Sequence, residues 1–169
     1  MCIRDRAENY GTVLRHQVNQ GKGQALKTAF VYIQSLKMPG TIVTADADGQ
    51  HKIWDILRTS NKANENPSTL VLGVRAFTGK VPLRSRFGNS LTRILFKIQT
   101  GVAVSDTQTG LRAFTTDLIP FMMEVEGQRY EYEMNMLLEA SKQCPILEVP
   151  IAAMQDKLKW GRKKAVTII

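Results

Sequence analysis

The strongest constraint in this chain is the run Thr41 to Ala45, a β-branched apolar stretch that ends against Asp46-Ala47-Asp48-Gly49-Gln50-His51. Such a run favours a buried strand, and the Asp-Gly chemistry behind it forces a turn. Two carboxylates one residue apart therefore stand where a strand emerges into a loop. In extended chain, residues i and i+2 point to the same side, so Asp46 and Asp48 converge, with the Gln50 amide two residues further on. Carboxylates forced together repel, and the arrangement makes sense with a hard divalent cation, Mg²⁺ or Mn²⁺, between them and a phosphate. An Asp-rich turn that caps a following helix accounts for the same residues. A calcium-hand loop does not, because its sixth and twelfth positions hold His51 and Leu57 in place of Gly and Glu.

Around this strand, β-like runs alternate with helical ones, the pattern of an α/β domain with helices covering a largely parallel sheet. Gln24 to Lys37 places Leu26, Ala29, Phe30, Ile33 and Leu36 on one helical face, and Pro39-Gly40 ends it. A second helix carries Ile53, Trp54, Ile56 and Leu57 and breaks at Asn64 to Pro67 before a strand Thr69 to Val74. Phe87, Leu91, Ile94, Leu95 and Ile98 define an amphipathic helix with Arg93 and Lys97 on its other faces, closed by Gly101. Thr12 to Arg15 reads as a first strand, Tyr132 to Gln143 as a helix, and Ile146 to Val149 as a strand interrupted by Pro150.

With 169 residues the chain is one domain's length, and 23 Lys plus Arg against 15 Asp plus Glu give a net charge of +8. That balance favours anionic partners, whether phosphates, acidic lipid or nucleic acid. No zinc, RNP or helix-turn-helix signature supports nucleic acid, which is not expected as a partner. Two cysteines, Cys2 and Cys144, make neither a disulfide framework nor a metal-spaced pair, which points to a reducing compartment. No run of about 18 apolar residues is present.

Three further groups bear on chemistry. Asn19-Gln20-Gly21-Lys22-Gly23, leading into a helix, can present backbone N–H groups and Lys22 to a phosphate, or be a plain glycine turn. Arg75, Lys80, Arg84 and Arg86 can grip a diphosphate or lipid phosphate, or form a solvated loop. Asp106, with Gln108 and Arg112, stands in a loop-like stretch where a turn-forming Asp is the simpler reading.

Taken in order, the segments Asn19 to Ala25, Asp46 to His51, Gly73-Val74-Arg75, Arg86-Phe87-Gly88, Asp106 to Phe114, Arg129 to Met134 and Glu148 to Ile151 resemble the family 2 glycosyltransferases. The nearest branch is the dolichyl- or polyprenyl-phosphate sugar synthases. The resemblance implies a GT-A fold, an α/β sandwich whose central, mostly parallel sheet is flanked by helices, and inverting transfer of a sugar from a GDP- or UDP-linked donor to a lipid phosphate. It implies Asp46, Asp48 and Gln50 as holders of Mg²⁺ or Mn²⁺, with Lys22, Arg75, Arg84 and Arg86 toward phosphates. Asp106 and Asp48 take the catalytic positions, and Gln108, Arg112, Glu131 and Tyr132 shape the acceptor side.

It further implies peripheral contact with the cytoplasmic face of a membrane. The family's opening strands, with their nucleobase-gripping Asp-Asp-Gly-Ser-type segment, have no counterpart before Asn19, so an N-terminally truncated domain spanning 8–151 is expected. Residues 1–7 and 152–169 are left unassigned. A non-catalytic phosphate- or anionic-lipid-binding fragment, and transfer to a saccharide hydroxyl in cell-envelope polysaccharide synthesis, are the alternatives.

Overall fold

The computed structural model describes residues 8–46, 49–75, 83–152 and 167–168, with side chains described outside 83–91 and 167–168. Helix α1 (Lys22–Ser35) leads to β1 (Thr41–Asp46), α2 (Ile53–Glu65), β2 (Leu70–Arg75), α3 (Leu83–Thr100) and β3 (Arg112–Thr115). A short 3₁₀ turn (Thr116–Leu118), α4 (Ile119–Glu124), α5 (Glu131–Gln143), β4 (Ile146–Ile151) and the two-residue β5 (Thr167–Ile168) complete the order. The α/β class is as expected.

The sheet is mixed, and this corrects the largely parallel one. Its order is β4-β2-β3-β1-β5. Among the described strands only β2 and β4 pair in parallel, from Leu70 against Ile146 to Arg75 against Ile151. β3 lies between β1 and β2 and runs against both, pairing Thr44 with Arg112 and Thr41 with Thr115 on one side and Val71 with Ala113 on the other. β5 adds an antiparallel pair at Ala45 and Asp46. The physical reason lies in the connection. The loop after α3 returns the chain to the carboxyl edge of β1, so the next strand can only run back down the sheet.

Alternation along the strands divides the apolar residues between two faces. Leu70, Leu72, Val74, Ile42 and Phe114 join Leu26 and Phe30 of α1, Phe96 of α3, Ile119 and Met122 of α4, and Met136, Leu137 and Ala140 of α5 in the larger core. Phe30 and Phe114 meet edge to face at 5.5 Å. Fully burying each such side chain contributes about 1.5–3 kcal/mol before entropy is charged. The other face is thin: Val71, Ala113 and Ala63 of α2, with Val43, Leu147 and Val149 partly buried around them.

Two helices turn part of the expected face outward, the side chains of Phe87 and Leu91 lying outside the described residues. In α2 the buried residues are Asp55, Thr59 and Ala63, while Ile53, Trp54 and Leu57 are exposed. In α3, Phe96 enters the core, and Ile94, Leu95 and Ile98 stand 57%, 56% and 76% exposed. Thr12 to Arg15 forms no strand; side-chain contacts such as Thr12 Oγ1 with the Tyr32 hydroxyl at 3.3 Å stand in place of a ladder. β4 runs through Pro150 to Ile151, which an edge strand tolerates because the missing N–H breaks no interior ladder. No described helix is long and apolar enough to cross a membrane.

Candidate functional site

The carboxyl edge of β1 and β2, the start of α1, the start of α5 and the loop before β3 meet around one group of charges. At its centre Lys22 Nζ donates to Asp46 Oδ1 at 2.7 Å and to Glu133 Oε2 at 2.8 Å. The Lys22 side chain is only 8% exposed. Burial, the largest influence, pulls its pKa down, but the hydrogen bonds from Asp46 and Glu133 and their charges more than offset this, and the net shift is upward. The ammonium therefore neutralises two carboxylates from different elements.

Asp46 is set from the other side by a glycine. A Cβ built on Gly110 would lie 2.3 Å from Asp46 Oδ2, so only glycine lets the carboxylate seat there. The Gly110 carbonyl accepts from Thr44 Oγ1 at 3.3 Å, and Thr109 Oγ1 donates to the Gly73 carbonyl at 2.6 Å, which fixes the loop between β1 and β2.

Asp106 is buried in that same loop. Its Oδ1 accepts from the Gln108 N–H at 3.1 Å, an Asx turn, while Arg75 Nε stands 3.7 Å from Oδ2 at the end of β2. Gln108 itself is exposed beside it. One residue earlier, Ser105 is held by Glu148 of β4, which accepts from its N–H and, at 2.7 Å, from its hydroxyl. Glu148 carries weight here that spacing alone did not reveal, because its partner is 43 residues away in sequence.

Arg112 is the buried cation beneath these acids. Its Nε donates to the Thr109 carbonyl at 3.1 Å and its Nη1 to the Glu133 carbonyl at 2.5 Å. Burial lowers its pKa, opposed by the charges of Glu133, Tyr132, Asp106 and Asp46. Tyr132 is fully buried and donates to the Met122 carbonyl at 2.6 Å; burial pushes its phenol strongly upward. Neither Arg112 nor Tyr132 presents its polar atoms to solvent, so both support the site from beneath. Glu131 is exposed; the N–H groups of Glu131, Arg129 and Gln128 hold its pKa down.

At Asn19 to Gly23 the described amides form a glycine turn, the second of the two readings of that segment. The Gly23 and Gln24 N–H groups donate to the Arg129 and Gln128 carbonyls at 3.2 and 2.9 Å, and the Gly21 N–H donates to Asn19 Oδ1 at 2.9 Å. The Gly23 and Gln24 donors dock α1 onto the turn before α5, and the Gly21 donor closes the turn on itself. Gly21 adopts φ 95 there, and a Cβ on Gly23 would meet Tyr132 at 2.5 Å. The glycines serve close packing.

Asp48 and Lys80 lie outside the described residues, as do the side chains of Arg84 and Arg86. Gln50 is half-buried in the loop after Asp46. Among the described residues no group of three His, Cys, Asp or Glu is placed to hold a metal ion. Asp46 has one oxygen on Lys22 and the other against Gly110.

No family model matches the chain. It is 30% identical over 161 residues to a UDP-N-acetylglucosamine–dolichyl-phosphate N-acetylglucosaminyltransferase of Methanococcus voltae, covering 92% of this chain and 64% of that protein. The chain resembles glycosyltransferases. It is also 30% identical over 156 residues to an uncharacterized protein of Methanocaldococcus jannaschii, covering 89% of the chain and 64% of that relative. A low-salt glycan biosynthesis hexosyltransferase of Haloferax volcanii matches at 26% over 152 residues, 86% of the chain and 35% of the relative. The chain thus spans about 64% of the length of the first two relatives.

Proposed function

We propose that this chain carries the catalytic part of an inverting glycosyltransferase that moves a sugar from a UDP- or GDP-linked donor to the phosphate of a dolichyl or polyprenyl lipid, at the cytoplasmic face of a membrane. The observation that carries the reading is the gathering of Asp46, Glu133 and Asp106 around the charges of Lys22, Arg112 and Arg75 at one edge of the sheet. The likeness to a dolichyl-phosphate N-acetylglucosaminyltransferase supports the lipid acceptor.

In this reading, an acceptor phosphate oxygen attacks the anomeric carbon from the face opposite the donor diphosphate. The bond from that carbon to the diphosphate oxygen breaks as the new one forms, and configuration inverts. The acceptor oxygen is already anionic near neutral pH, so Asp106 orients and needs no proton transfer. Arg75, 41% exposed while in contact with Asp106, is free enough to turn toward a phosphate and stabilise charge on the departing diphosphate. When bound at Asp46, Asp48 and Gln50, Mg²⁺ or Mn²⁺ supplies further countercharge to that diphosphate. Lys22 and Arg112 keep Asp46 and the Asp106 loop in register for it.

The test is calorimetric titration of the chain with UDP-N-acetylglucosamine and with GDP-mannose, each with Mn²⁺. Binding of one donor, weakened at least tenfold in Asp46→Asn and in Asp48→Ala, is the expected result. Equal binding by the wild type and both variants sinks the reading.

A further inference from the structure

We propose that Glu148 of β4 is a positioning residue for the acceptor phosphate: it fixes Ser105 and, through Ser105, holds Asp106 in register with Arg75. This rests on the sugar-transfer reading for the identity of the acceptor, and goes beyond it by naming a side chain outside the charge cluster that sets the acceptor side. Both oxygens of the half-buried Glu148 carboxylate are spent on one residue, accepting from the Ser105 N–H and, at 2.7 Å, from the Ser105 hydroxyl. Two bonds to a single residue fix its orientation as well as its place, and the next residue is Asp106, only 3% exposed. The Asp106 carboxylate is then aimed locally, its Oδ1 accepting from the Gln108 N–H at 3.1 Å.

The same ladder carries Arg75. β4 runs parallel to β2 with Glu148 opposite Leu72 and Ile151 opposite Arg75, so the pairing that seats Glu148 also seats the backbone from which Arg75 Nε stands 3.7 Å from Asp106 Oδ2. The far end of the loop is tied to β2 again: Thr109 Oγ1 donates to the Gly73 carbonyl at 2.6 Å, and the Gly73 N–H donates to the Leu111 carbonyl at 2.9 Å. The stretch from Ser105 to Leu111 is therefore pinned to the β2–β4 ladder at both ends, while the Arg75 side chain, 41% exposed, keeps the freedom to turn toward a phosphate. Satisfying Ser105 alone asks for no charge. A neutral carbonyl would accept from its N–H, and a carboxylate there places two like charges close together in the loop. What the side chain of Glu148 adds over a carbonyl is a fork that fixes an N–H and a hydroxyl together.

Calorimetric titration of the 169-residue chain with farnesyl phosphate, a short lipid phosphate, and separately with UDP-N-acetylglucosamine plus Mn²⁺, tests this. Glu148→Ala is expected to weaken farnesyl phosphate binding about tenfold or more and donor binding by less than about twofold. Glu148→Gln should return to within about threefold of the wild type, because its amide oxygen accepts from the Ser105 N–H and its amide N–H donates to the Ser105 hydroxyl. Ser105→Ala, which removes one of the two bonds, should show a smaller loss confined to the same ligand, and serves where Glu148→Ala does not fold. Val149→Ala, a loss of packing on the other face of β4, should leave the ratio of the two affinities unchanged. Three results overturn the proposal: undiminished farnesyl phosphate binding in Glu148→Ala and Ser105→Ala; an equal loss of both ligands, which a merely structural role would give; or a loss that Glu148→Gln fails to restore, which would assign the effect to charge. The two readings fail separately. A wild type that binds the donor and no farnesyl phosphate overturns this proposal alone, whereas one that binds farnesyl phosphate through Glu148 and takes no donor leaves the brace standing and removes the sugar-transfer reading.

Discussion

Lys22, expected toward a phosphate, stands between the carboxylates of Asp46 and Glu133. An ammonium with about a tenth of its surface open, shared between β1 and α5, lies between the exposed and buried limits of ion-pair energetics. Lys22→Met should therefore cost about 2 kcal/mol, read from urea unfolding, with Lys22→Arg recovering part of it. Gly110→Ala should leave the fold in place and push the Asp46 carboxylate off its seat. Its expected signature is a tenfold or greater loss of Mn²⁺-dependent donor binding with a small change in melting temperature, and unchanged binding would show that the seat is unimportant.

The same residues set an alkaline limit. Lys22 has a folded pKa above its ordinary value, so its contribution is complete below about pH 10.4 and is lost as pH rises through the folded value. Tyr132 acts in the same direction: the unfolded chain releases the phenolic proton near pH 10 while the buried phenol holds it. The melting temperature should be level from about pH 8 to pH 9.5 and then fall. Lys22→Met should show a shallower fall.

At the scale of elements, helices announced themselves by period and strands by β-branched runs, and most of the elements lie within a few residues of their expected places. β3 escaped because Arg112-Ala113-Phe114-Thr115 is four residues long and opens on a charge; nothing local marks it as a strand. What makes it one is the pairing of both its edges, with Arg112 buried under the site and its guanidinium bonded to the carbonyls of Thr109 and Glu133. Arg112→Met should keep the volume and remove these bonds. The two carbonyls lose their donor and Glu133 loses a neighbouring cation, so a loss of about 3 kcal/mol is expected in denaturant melts. Arg112→Lys should recover little, since an ammonium cannot reproduce the fork.

Across the whole molecule the sheet is covered unequally. Among the described residues four helices contribute to one face, while the other rests on α2 and a few small or half-buried side chains. Phe114→Ala, which opens the larger core between α1 and the sheet, should cost about 3–5 kcal/mol. Truncating Val149, half-buried beside the thin core, should cost under about 1.5 kcal/mol. Comparable losses at the two sites would mean that the thin face is better filled than its residues indicate.

The amino-acid sequence by itself determined the strand that ends in Asp46 and the α/β alternation. These follow from backbone stereochemistry and side-chain period, which act over a few residues. Tertiary structure alone decided that Lys22 serves Asp46 and Glu133, that the Gly23 and Gln24 amides bond the turn before α5, that β3 runs against its neighbours, and that Ile53, Trp54 and Leu57 of α2 and Ile94, Leu95 and Ile98 of α3 look outward. Those outcomes depend on which distant groups meet, as Glu148 meets Ser105 across 43 residues. An apolar stripe states that something must cover it, and only packing states what.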